Sequence, residues 1–407
     1  MSQALSHLTV LDLSRVLAGP WAGQILGDLG AQVYKIERPG AGDDTRSWGP
    51  PFLQNAAEGG NADAAYFLCA NRNKKSLTVD FTTALGRRIV QDLAARADVL
   101  IENFKTGGLQ AHGLDFESLR EINPRLIYCS ITGFGQTGPY AARPGYDFLI
   151  QAMGGLMSIT GAKDGEPGAG PQKVGVAMTD ILTGLYAVIG ILAALAHRER
   201  SGAGQYIDVA LLDVQVACLA NQAMNYLVGG TPPVRMGNAH PNIVPYQDFP
   251  TADGHMVVAV GNDAQFARLC AELGHAELAG DARFTSNEAR VANRQDLIGL
   301  LRAATAARST AEWVERLQRA QVPCGPINAL DEVFADPQVQ ARGMRLDLPH
   351  PVAGSVPQVA SPLRLSATPV RYRSAPPALG ADTRELLRDV LHMSAEEIDS
   401  LAAKKII

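Results

Sequence analysis

Cysteine is scarce in this sequence and poorly placed for structural chemistry. The five cysteines, Cys69, Cys129, Cys218, Cys270 and Cys324, are odd in number and widely scattered, with no CxxC and no Cys/His ligand spacing. Neither a disulfide framework nor a metal centre is therefore expected, and a reducing compartment is. A basic excess is missing too. The net charge of −5 argues against a chain-wide nucleic-acid footprint. The opening residues, MSQALSHLTV, carry no basic n-region and no long apolar stretch, so no signal peptide or membrane anchor is expected and the chain reads as cytoplasmic. The glycine loop of a nicotinamide enzyme is also absent. After the first strand-like run, Gly19, Gly23 and Gly27 recur every fourth residue. That spacing lines one face of a helix and suits close packing, unlike the GxGxxG turn that cradles a pyrophosphate.

What is present is an ordinary globular balance, 46% apolar and 19% charged over 407 residues, too long for one hydrophobic core. The first part of the chain alternates short apolar runs with helical patterns. HLTVLDLS (7–14), QVYKIER (32–38), SLTVDF (76–81), DVLIENF (98–104) and RLIYCSITGF (125–134) read as buried strands, and LGRRIVQDLAARA (85–97) as a helix between two of them. Such alternation predicts an α/β fold with a parallel sheet under helices, whose ligands gather at the carboxyl ends of the strands. A long apolar helix is predicted over 176–199, and a hairpin about Asp253-Gly254. The expected organisation is a large domain over 1–205, a connecting helix or linker over 206–229, a small α+β domain over 230–325, and a return to the large domain over 326–407.

Two groups of residues bear on chemistry. Arg38, Arg46, Arg72, Lys74 and Lys75 lie in or near GAGDDTRSWGPP and NRNKKS, which read as loops at the carboxyl ends of strands, with Asn71 and Asn73 as neutral partners. On charge alone a solvated surface competes with a phosphate or carboxylate grip. The second group is Asp180 in GVAMTDILTGLYA, where helix capping competes with catalysis.

The run VLDLSRVLAGPWAGQILGDLGAQVYKIERPGAGDDTR, followed by NRNKKS, IENF, ITGFGQTGP, GYD, GVAMTDILTGLYA, HRERSGAGQYIDVALLD and VPCGPIN, resembles the class III CoA-transferase family in order and spacing. GAGDDTRSWGPPF, NRNKKS and HPNIVPYQ are most similar to its succinyl-CoA:glutarate branch. The resemblance implies a large Rossmann-like domain, a small α+β domain and an interlocked homodimer. It implies transfer of CoA from an acyl-CoA to a free carboxylic acid through aspartyl anhydride and aspartyl-CoA thioester intermediates, with CoA esters as substrates and no resident cofactor. Asp180 falls on the family nucleophile and Asp147 on a supporting acid. Val16, Ala18, Arg38, Val79, Asn103, Phe104 and Tyr146 fall on CoA contacts. Thr82 and Ala111 stand where formyl enzymes carry basic contacts, which leaves Lys105 or Lys75 for the phosphates. Leu17 replaces a glutamine beside the nucleophile, and AHPNIVPY, with His240 and Asn242, replaces a mobile glycine-rich loop. Arg72, with Arg15, is expected to read the distal carboxylate of a dicarboxylic substrate. Two alternatives stay open at this stage. One is an α-methylacyl-CoA racemase, which has a histidine where this chain has Tyr146, and the other is a non-catalytic acyl-CoA scaffold.

Overall fold

A computed structural model describes residues 3–54 and 60–407 of the chain. Two compact units emerge, one made of 1–156, 174–229 and 338–407, the other of 157–173 and 230–337. The larger unit is built on a six-stranded sheet of β1 (Thr9–Asp12), β2 (Gln32–Glu37), β3 (Lys74–Thr78), β4 (Val99–Glu102), β5 (Ile127–Thr132) and β6 (Tyr206–Ala210). Every pairing in it is parallel, in the order β3-β2-β1-β4-β5-β6. The strands alternate between two cores. Val10, Val99, Ile101, Ile127, Cys129 and Ile131 face one, while Leu11, Leu100 and Tyr128 face the other. Both faces are apolar because both are covered by helices.

On the first face lie α1 (Ala18–Asp28) and the 24-residue helix identified below as α4. The second face takes α2 (Ala84–Ala94), started by the Thr83 hydroxyl accepting from Gly86 N–H, together with C-terminal helices that bury Leu386, Leu387, Ile398 and Leu401. Farther along are α3 (Asp147–Met153), α4 (Met178–Ser201), α5 (Leu211–Ala217) and α6 (Ala220–Gly229). Helix α4 is long and apolar enough to cross a membrane, but Ala187, Val188, Ile191, Ala194 and Leu195 place it in the core. The three glycines of α1 pack as their spacing predicts. A β-carbon at Gly19 would fall 2.2 Å from Ser14 Oγ, and one at Gly23 would fall 2.8 Å from Asp12 Oδ2. The small unit has an antiparallel sheet of β7 (Tyr246–Pro250), β8 (His255–Ala259) and β9 (Cys324–Pro326) around Phe249, Met256, Phe266 and Trp313. Its hairpin turns at residues 251–254, as expected.

Three sequence expectations are corrected. Residues 206–210 are the edge strand of the large sheet, and the whole segment expected as a linker, 206–229, lies inside the large unit. The small unit extends to Pro337, beyond the expected boundary at 325, and VPCGPIN supplies its β9. Most consequential, the third strand begins at Lys74, two residues earlier than expected. NRNKKS therefore enters the sheet at an amino end, away from the side where ligands gather.

The strand shift changes what the basic residues do. Lys74, wholly buried, donates to Asp12 Oδ2 at 2.8 Å, to Pro20 O at 2.8 Å and to Asn71 Oδ1 at 2.9 Å. Burial pulls its pKa down to about 8 against the attraction of Asp12. Arg46 forks onto Glu37 at 2.8 and 2.7 Å and reaches Asp63 at 2.8 Å. Lys75 pairs with Glu385 from the C-terminal segment. These charges hold the fold. Because a buried charge left alone is costly, Lys74→Met should lower stability by about 3–5 kcal/mol, read as a fall in the denaturation midpoint. Unchanged stability with lost activity would return Lys74 to the ligand.

Candidate active site

The strand order reverses direction between β1 and β4, the switch point at which open α/β sheets bind ligands. Two recesses meet there. One is lined by Arg15, Val16, Leu17 and Ala18 after β1, Asn103, Phe104 and Lys105 after β4, the Arg143–Tyr146 stretch, Leu211 and Asp180. The other is lined by Leu13, Lys35, Arg38, Asp43, Val79 and Thr82, and it shares Arg15 and Phe104 with the first. An extended ligand lying over Arg15 and Phe104 would pass from Arg38 to Asp180.

Asn103 ties the two sides of the switch point together. Its Oδ1 accepts from Arg15 N–H at 2.8 Å, and its Nδ2 donates to Arg15 O at 2.6 Å. From the other side Val16 N–H donates to Asp43 Oδ1 at 3.2 Å. Between these clamps Val16 adopts φ 72°, a left-handed conformation that is an outlier for a β-branched residue. Asp43 is itself fixed by buried Lys35, 2.9 Å from its Oδ2. Burial opposes its ionisation, but Lys35 outweighs it and lowers the pKa to about 2.

Asp180 lies in the first turn of α4, third after the N-cap Ala177. Its side chain caps nothing: among the described residues its carboxyl makes no hydrogen bond or ion pair. The capping falls to Asp147 at the start of α3, whose Oδ1 accepts from Thr179 N–H at 2.8 Å and from Asp180 N–H at 3.3 Å. Gln151 holds the other Asp147 oxygen at 2.6 Å. Asp180 is 9% exposed, and burial, with added repulsion from Asp147, pushes its pKa up to about 7. Such a carboxyl is a better nucleophile when ionised than an ordinary aspartate, and it sits where a ligand can reach it.

The cleft thus brings together Asp180, Arg15, Val16, Ala18, Asn103, Phe104, Lys105 and Tyr146, with Arg38 and Val79 in the adjoining recess. Tyr146 is well exposed and precedes α3. Arg72 is not in either recess. It is 4% exposed, forks onto Asp28 at 3.0 and 2.6 Å, and donates to Val359 O at 2.7 Å. The expectation that it reads a substrate carboxylate fails for that reason. Arg15 is partly engaged, with Asp44 at 3.1 Å and the Phe104 ring 5.4 Å from its guanidinium carbon. His240 and Asn242 belong to the small unit, where His240 Nδ1 accepts from Asn242 N–H at 3.1 Å and Asn287 Nδ2 donates to Asn242 O at 2.8 Å.

Sequence reasoning missed three residues. Lys35 looked like an ordinary strand lysine. Glu102, in IENF, is pushed up to about 7 by burial, and it accepts from Phe104 N–H at 2.8 Å. Arg143 lines the Asp180 cleft; its one sequence signal was its place just ahead of GYD.

Comparison with known proteins shows the family. The model of CoA-transferase family III matches residues 5–383. The succinate–glutarate CoA-transferase of Agrobacterium fabrum is 53% identical over 95% of each chain. The succinyl-CoA:glutarate CoA-transferase of Mus musculus is 46% identical over 99% of this chain and 90% of its own. A crystal structure of a CAIB/BAIF family protein from Brucella suis superposes with a TM-score of 0.84 at 52% identity, covering 96% of this chain and 100% of that one. A parallel sheet with a buried, unpaired aspartate at its switch point, matched along nearly the whole chain, places this protein in CoA-transferase family III.

Proposed function

We propose that this enzyme moves CoA from succinyl-CoA to a dicarboxylic acid such as glutarate, with Asp180 as the nucleophile. The observation that carries the reading is Asp180 itself, a buried carboxyl lining a cleft and without an ion-pair partner among the described residues. The names of the similar transferases support the acid pair. An Asp180 oxygen attacks the thioester carbon and the C–S bond breaks, giving an aspartyl–acyl anhydride and CoA thiolate. The thiolate attacks the aspartyl carbonyl and the donor acid leaves, so that an aspartyl-CoA thioester remains. The acceptor carboxylate attacks that carbonyl and expels the thiolate, which then takes the acceptor acyl group from the second anhydride. Asp180 returns unchanged and no net proton moves. Dividing one exchange into four displacements is what nucleophilic catalysis supplies.

In this reading Asp147 is a positioning residue, and CoA lies along Arg38, Val79, Phe104, Asn103, Val16 and Ala18, with Lys105 and Tyr146 at the mouth. Donors for the tetrahedral oxyanions come from backbone N–H groups. The setting is cytoplasmic and needs no resident cofactor. A racemase would need a base at Tyr146, and an exposed phenol is a poor base at neutral pH.

Asp180→Ala should abolish transfer by several orders of magnitude, since every covalent intermediate forms on that side chain. Its stability should change little, because the carboxyl makes no hydrogen bond or ion pair among the described residues. Intact mass after incubation with succinyl-CoA should show an adduct on the wild type and none on the variant. A variant that keeps substantial turnover, or an adduct elsewhere, overturns the assignment.

The pH profile is a second check. Only the ionised carboxylate attacks, so kcat/KM should rise as pH passes about 7 and level off above. Asp147→Asn removes the neighbouring negative charge, which lowers the Asp180 pKa and moves this limb to lower pH. A limb that does not move would show that Asp147 has no electrostatic influence on the nucleophile.

We also propose that the protein is a homodimer. Leu185, Tyr186, Ile189 and Leu192 on α4 and Met224, Tyr226, Leu227 and Val228 on α6 are exposed large apolar side chains, which a second copy would cover. Light scattering on the eluted protein should give twice the chain mass at micromolar concentration; a monomer would refute the dimer.

A further inference from the structure

A dicarboxylate handled at Asp180 carries a second charge, and with Arg72 committed to Asp28 that charge needs another cation. The following inference rests on the proposed acid pair. Three cations border the Asp180 cleft: Arg15, Lys105 and Arg143. Arg15 is already paired with Asp44. Lys105 also borders a second recess, and as a lysine it lacks the planar fork that matches a carboxylate. Arg143 has no carboxylate partner among the described residues.

Its setting nevertheless fixes it. The guanidinium carbon is 4.6 Å from the Tyr140 ring centroid and 5.3 Å from that of Phe134. Those rings meet edge to face at 5.6 Å. Aromatic faces hold a guanidinium plane without consuming its N–H donors, so the fork stays available for a carboxylate. The loop beneath is also constrained. Gly145 passes so close to Gly133 that a β-carbon on Gly133 would fall 2.6 Å from Gly145 Cα. Arg143 N–H donates to Tyr140 O at 2.9 Å, and Thr106 Oγ1 donates to Ala141 O at 2.8 Å. The same stretch runs directly into Asp147, which holds the N–H groups of Thr179 and Asp180. The cation and the nucleophile are thus positioned by one continuous segment.

We propose that Arg143 determines specificity by binding the distal carboxylate of the dicarboxylic acid while the reacting carboxylate faces Asp180. A CoA phosphate is the poorer occupant. The thiol must reach Asp180, which puts the phosphates at the opposite end of the pantetheine arm, toward Arg38 in the other recess. A distal carboxylate desolvated without a partner would be disfavoured, and a planar fork answers it in two-pronged geometry.

The test compares glutarate with its monoamide, an acceptor of equal length and neutral end, with succinyl-CoA as donor throughout. Donor effects cancel in the ratio of the two kcat/KM values. The wild type should favour glutarate, and Arg143→Ala should reduce that preference about tenfold or more, the usual weight of a charge-assisted hydrogen bond. Arg143→Lys should retain part of it. If the wild type discriminates and the ratio survives in Arg143→Ala, or both acceptors fall together, the Arg143 assignment is overturned alone. If the wild type does not distinguish the two acceptors, the dicarboxylate reading fails and Arg143 with it.

Discussion

The site depends on charges that never meet the substrate. Lys35 on β2 and Lys74 at the start of β3 are buried, each matched to an acid, Asp43 and Asp12. Both pairs bear on the β1–α1 loop. Lys35 donates to Ser14 O at 2.9 Å, Asp12 accepts from Ser14 N–H at 3.0 Å, and Asp43 accepts from Val16 N–H. Each ion would be costly unpaired, and the pairing is satisfied only when the loop takes one path. The left-handed Val16 is held because its neighbours are so fully determined, which is how backbone strain persists at functional sites.

Asp180 is governed by the opposite arrangement. A carboxylate in the first turn of a helix would ordinarily take up the free N–H donors there and be stabilised by them. Here Asp147 takes them and adds its own charge. Among the described residues Asp180 is left buried without donors, and its pKa is pushed up to about 7. The same absence that makes it a strong nucleophile makes it the poorer leaving group once acylated, since the protein stabilises its anion little; its departure relies on the reactivity of the anhydride toward the CoA thiolate.

Much of this was legible in the sequence. Apolar runs separated by helical spacing specified the strands, because a parallel sheet buried on both faces tolerates little else. Gly19, Gly23 and Gly27 specified close packing. Asp180 was visible as an acid where an apolar helix begins. The fate of NRNKKS was not. A lysine at a strand start reads the same whether it faces solvent, ligand or a buried acid, and the acids concerned are remote: Asp28 lies 44 residues before Arg72, and Glu385 lies 310 after Lys75. The strand boundary was misplaced for the same reason, since Lys74 is an unlikely strand residue until Asp12 is seen opposite. Arg143 was passed over because ARPG looks like an ordinary turn; only the approach of Gly145 to Gly133 shows the turn to be fixed.

Cations in this molecule divide by the company they keep. Those with two or three acceptors and little exposure, Lys35, Arg46, Arg72 and Lys74, are spent on the fold. Arg38 and Arg143 have no acid partner among the described residues, and each borders a recess. Burial and pairing, rather than clustering in sequence, separate structural from ligand-facing charge, because a cation already satisfied gains little from a substrate and would lose its partner in turning to one. By that measure the two ends of an acyl-CoA have one uncommitted arginine each, and the nucleophile lies between them.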